Sequence, residues 1–99
     1  MNNMQAMLKQ AQKMQRDMQK TQEEINNTEF IGKSELVSVK MMGDRNVKEV
    51  KILSEELEKD DIEVLEDMIL IATNDALKQI DKITEEKMGA YTKGMPGLF

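Results

Sequence analysis

Lys9, Lys13, Arg16 and Lys20 recur at spacings of four, three and four residues, and the only acid among the first 22 positions is Asp17. In a helix, at about 100° per residue, the four cations fall within one narrow stripe. Ammonium and guanidinium groups arrayed along one side of a rod suit a row of phosphates, which they reach without reading base edges. That is binding chemistry, and the chain offers little for covalent chemistry. It has no cysteine and no histidine, which removes thiolate nucleophiles, disulfides, the usual zinc sites and any Ser-His-Asp arrangement. Tyr91, the lysines and the carboxylates form no catalytic constellation, so no enzyme activity, cofactor or small-molecule substrate is expected. Glu55, Glu56, Glu58, Asp60, Asp61, Glu63, Glu66 and Asp67 form a dense acidic run. It lacks the spacing and central glycine of a calcium loop and reads as helix capping and solvated surface. Gly32, Gly43 and Gly89 stand alone, so no phosphate-cradling glycine loop is present.

The element that must carry the stripe is visible in the apolar pattern. Met4, Met7, Ala11, Met14, Met18, Thr21 and Ile25 follow one another at 3-4-3-4-3-4 spacing with no intervening glycine or proline. The pattern predicts a helix over residues 4–25, about 33 Å long at 1.5 Å per residue, with Asn26 and Asn27 as its stop. The basic stripe lies on the side opposite this methionine seam, and glutamines fill the flanks. Solvated lysine is the plain reading of such a face, but structural charged faces usually interleave Glu and Lys at i,i+4. Here the sole acid before Glu23 and Glu24 is Asp17.

The chain carries a formal net charge of −5, which at first argues against a polyanionic partner. The sum conceals an asymmetry. Residues 1–22 are net +3, and residues 23–99, with 10 basic and 18 acidic side chains, are net −8. A surface field follows local charge, so a basic rod on an acidic body can still meet a polyanion. No apolar run approaches the length of about 20 residues that spans a bilayer. The apolar face of the first helix, broken by Ala11 and Thr21, lacks the aromatic anchors of a membrane-surface helix. With no signal-peptide apolar core at the N-terminus, a cytoplasmic protein without membrane contact is expected.

Residues 28–53 are rich in β-branched side chains. Val37, Val39 and Met41 alternate with polar residues, as do Val50 and Ile52, which predicts strands over 35–42 and 46–53. Thr28–Lys33 reads as a third strand, giving an antiparallel meander punctuated at Gly32 and at Gly43-Asp44. Val47 and Val50 have opposite parity, which calls for a bulge near the start of the last strand. A polar connection over 54–61 leads to a capping box with Asp60 and Glu63, and to a second helix over 61–88. Leu65, Ile69, Ala72, Ala76, Ile80 and Ile83 form its stripe. Through Met68, Ile69, Leu70, Ile71 and Ala72 it is apolar all round, which implies a second surface, a dimer interface with another protomer. With only three aromatics in 99 residues, dimerisation supplies burial that one chain lacks. The glycine-rich end, residues 94–99, reads as a flexible tail on a single domain over 1–93.

In order, the segments "MLKQAQKMQRDMQKTQEEI", "VKMMGDRNVKEVKI", "LEDMILIATNDALKQI" and "GMPGLF" resemble the YbaB/EbfC family of bacterial nucleoid-associated proteins across essentially the whole chain. The most specific part is the block from Leu65-Glu66-Asp67 to Asn74-Asp75-Ala76. The resemblance implies an α+β homodimer: a helix, a three-stranded antiparallel sheet and a long second helix, with paired helices projecting like tweezers. It also implies double-stranded DNA as the partner, with relaxed sequence preference, a role in nucleoid organisation and gene expression, a nucleoid-associated location in the cytoplasm, and no catalysis. The assignment of Lys9, Lys13, Arg16 and Lys20 to DNA comes from helical geometry. An adaptor whose first helices capture another protein through the methionine seam is the alternative expectation.

Overall fold

The computed structural model describes residues 3–92. The element order is α1 (Asn3–Asn26), β1 (Glu29–Lys33), β2 (Val37–Met42), β3 (Val47–Ile52) and α2 (Asp61–Thr92). This is the expected α-β-β-β-α order, with the three strands antiparallel and in the spatial order β1-β2-β3. The tail expected over 94–99 lies outside the described residues. The molecule is long, 74 × 22 × 13 Å. Its radius of gyration of 19.8 Å far exceeds the value of about 13 Å for a compact chain of this length.

Alternation places Phe30 and Gly32 of β1 and Val37, Val39 and Met41 of β2 on one face, and all five are buried beneath α2. Phe30 and Met41 pack with Ala76 and Ile80, while Val37 and Val39 pack with Ala72. Gly32 does not punctuate the chain as its residue type suggested. It is a mid-strand residue whose missing side chain admits the helix: an added Cβ would lie 1.9 Å from the Ala72 carbonyl oxygen and 2.6 Å from the Ala76 nitrogen. Gly43 does mark a turn, and a Cβ there would lie 1.8 Å from the Ile25 carbonyl oxygen. The turn continues through Arg45, at φ 71°, and closes where the Asp44 carboxylate accepts the Asn46 N–H at 2.9 Å.

The bulge is present. Lys40 pairs with Glu49 and Met41 with Val47, so Lys48 has no opposite number. β2 begins at Val37 rather than residue 35, because 34–36 form the reversal from β1, closed by the Ser34 N–H on the Val37 carbonyl. The expected capping box does not form. Asp61 instead accepts the Glu58 N–H at 3.0 Å and returns its own N–H to the Glu58 carbonyl. The start of α2 is thereby tied back onto the chain before it.

Candidate nucleic-acid interface

α1 is anchored at one end only. Ile25 is 1% exposed, and its backbone lies against Gly43. The Thr21 and Tyr91 hydroxyls hydrogen-bond at 3.1 Å, which sets the C-terminal turns of the two helices side by side. Thr28 Oγ1 donates to the Glu24 carbonyl at 2.6 Å and holds the exit from α1. Towards the N-terminus the seam loses its cover: Met14 and Met18 are half-buried, while Met4 is 83% and Met7 67% exposed. The first half of the helix is a rod standing away from the sheet.

Lys9, Lys13, Arg16 and Lys20 are all exposed on this rod. Among the described residues the ion pairs are Arg45–Asp81 and Lys51–Glu49, and neither involves the stripe. From Lys9 to Lys20 the cations span about 17 Å of helix axis. That is close to the axial rise of five base pairs, about 3.4 Å each. Four exposed charges over that length can face a phosphate backbone.

The five residues expected at a dimer interface divide in the structure. Ala72 is fully buried inside the protomer, and Met68 and Ile69 pack against the same core. Leu70 and Ile71 remain 60% and 56% exposed, about 100° apart on the side of α2 away from its buried stripe. Ile71 lines a shallow hollow of about 410 Å³ on the β1 side, with Lys33, Asn74, Asp75 and Lys78.

The β3 side carries a further apolar surface, outside the five residues expected at the interface. Val47, Val50 and Ile52 pair across from Met41, Val39 and Val37 and so share their face, yet they stay 49%, 47% and 44% exposed, because α2 lies across β1 and β2. The signal was available: one helix was expected to cover three strands. Among the described residues no cluster of three or more His, Cys, Asp or Glu is placed to hold a metal, and no helix is long and apolar enough to cross a membrane.

The sequence matches the YbaB/EbfC DNA-binding family over residues 1–95. The chain belongs to that family. It is similar to the nucleoid-associated protein of Lactococcus lactis subsp. cremoris (strain MG1363), 53% identical over 98 residues, covering 97% of this chain and 99% of the relative. A nucleoid-associated protein of Enterococcus faecalis (strain ATCC 700802 / V583) is 48% identical over 100 residues, covering 99% and 96%. One from Ligilactobacillus salivarius (strain UCC118) is 45% identical, covering 97% and 94%.

Proposed function

We propose that this protein is a nucleoid-associated protein that binds double-stranded DNA as a homodimer. It grips the phosphate backbone with little sequence preference, alters DNA conformation, and contributes to nucleoid organisation and gene regulation in the bacterial cytoplasm. The observation that carries this reading is the projecting, unpaired row Lys9, Lys13, Arg16 and Lys20 in a chain of a DNA-binding family. Cations without aromatic platforms or groups poised for base edges favour affinity over sequence readout. The uncovered row Val47, Val50 and Ile52 supports a second protomer, since a strip of this kind is costly to leave in water. No catalytic step and no small-molecule substrate enters this reading.

The test is duplex binding by fluorescence anisotropy across a salt series. Each rod engaging four phosphates contributes a log–log slope of about −3.6. Changing Lys9, Lys13, Arg16 and Lys20 together to glutamine is expected to remove that slope and nearly abolish binding while the mass in solution stays dimeric. Unchanged affinity would overturn the assignment of the stripe. No binding by the wild-type protein at low salt would overturn the reading as a whole.

A further inference from the structure

The methionine row of α1 is buried over only half its length. Met14, Met18, Thr21 and Ile25 turn inward, whereas Met4, Met7 and Leu8 are 83%, 67% and 60% exposed, and Ala11 is exposed as well. The 3-4 spacing runs unbroken through both halves. The exposed half therefore continues the seam that already packs, and it matches another helix of the same kind. The basic stripe lies on the far side of the rod, about 180° away.

We propose that the exposed seams of α1 from two separate dimers zip together, so that their basic stripes face outwards and hold two DNA duplexes. The protein then acts as a bridge. This rests on the phosphate-binding reading of the stripe. Charge selects a second copy as the occupant. Paired seam to seam, the two stripes stand about 20 Å apart, two helix diameters. That exceeds the Debye length of about 8 Å at physiological ionic strength, so the rods repel weakly. Stripe-to-stripe or stripe-to-seam pairing would instead bring cations together. An acidic partner helix would be drawn to the stripe and compete with DNA, leaving the seam bare. The paired segment spans only a few turns, short enough to be marginal alone, and methionine specifies register weakly. Pairing is therefore weak in free solution and is driven by DNA, which raises the local concentration of rods.

The absence of cysteine makes the contact directly readable. With DNA present, Met7→Cys in the full chain is expected to form an interchain disulfide under mild oxidation, whereas Gln12→Cys, on the flank of the same helix, is not. In a second arm, a bead-tethered duplex is offered a fluorescent duplex in the presence of protein. The wild type captures it, and the triple substitution Met4→Gln, Met7→Gln, Leu8→Gln reduces capture by about tenfold or more. Glutamine keeps helix propensity, so anisotropy on a single duplex is expected to be unchanged. Undiminished capture by the triple variant would overturn the bridge, as would wild-type binding to one duplex with no capture of a second. A Met7→Cys cross-link formed in dilute, DNA-free dimers would instead make the seam an intradimer contact. A cross-link that appears only after removal of residues 93–99 would assign the seam to the chain's own C-terminal segment. Both results overturn the proposal. If the wild type binds no duplex at all, the stripe itself is at fault and the bridge falls with it.

Discussion

β1 and β3 flank the same central strand, and the helix treats them in opposite ways. β1 is sealed. Phe30 and Gly32 lie under α2, the Lys33 N–H on its outer edge donates to Asp75 Oδ2 at 2.9 Å, and Gln79 Nε2 donates to the Ile31 carbonyl at 2.8 Å. Ser34 Oγ adds a bond to the Met68 carbonyl. Asp75 and Gln79 thereby occupy β1 backbone groups that would otherwise recruit another strand. β3 has its apolar row about half exposed and no helix above it. The difference follows from dimensions: a helix about 10–12 Å across covers roughly two strands, since strands lie about 4.8 Å apart. A three-stranded sheet with one helix on its face is thus left with one strand of apolar surplus. In the proposed dimer a second protomer covers that surplus.

The largest effect is expected on the sealed side. Gly32→Ala drives a methyl into the backbone of α2 at Ala72 and Ala76, atoms that cannot swing aside. The helix must lift from the sheet, with a loss of about 3–5 kcal/mol. Urea unfolding followed by circular dichroism reads this directly, and a wild-type midpoint would overturn the role of Gly32 in seating α2 on β1.

On the open side, Val50→Asp tests whether the row meets a partner. In the proposed dimer it buries carboxylates without counter-charges. The dissociation constant is expected to rise about 100-fold or more, a shift of about 2.7 kcal/mol. Light scattering would then report the monomer mass at micromolar protein. Lys51→Gln, on the other face of β3, is expected to leave the mass unchanged. A dimer that survives Val50→Asp would place the interface elsewhere, with Leu70 as the next residue to change.

Much of this contrast was written in short-range periodicity, and the rest was not. The 3-4 row of Met4 to Ile25 announced α1, and opposite parity at Val47 and Val50 announced the bulge that leaves Lys48 unpaired. These are local signals, fixed by the pitch of a helix and the pleat of a strand. Gly32 was misread because glycine marks turns and close approaches alike, and only the distant Ala72 and Ala76 decide between them. Asp60 and Glu63 had the spacing of a capping box, but Asp61 took the bond to Glu58, a choice set by how the chain enters the helix. "MILIA" promised one all-round apolar surface. The fold directs Ala72 into the core and leaves Leu70 and Ile71 exposed, because which side of a helix meets the sheet is a property of packing. For the stripe, residue type and spacing indicated one face. That the rod stands clear of the acidic body is a tertiary fact, set by the one-ended anchoring at Ile25 and Thr21.

The smallest expected effect probes the seal on β1. Asp75 accepts both the Lys33 N–H and a second bond from Gln79 Nε2 at 3.3 Å, so it organises the pair that covers the edge. Asp75→Ala leaves the Lys33 N–H within reach of water, since that bond is exposed, and the penalty is that of an ordinary hydrogen bond, about 1 kcal/mol. Asp75→Asn keeps an acceptor oxygen and is expected to recover most of that loss. Recovery by asparagine would separate edge capping from charge, because Lys33 and Lys78 line the same hollow and would lose a neighbouring carboxylate in both variants. If asparagine behaves like alanine instead, the carboxylate acts through those lysines, and β1 is sealed by packing on Gly32 rather than by its edge.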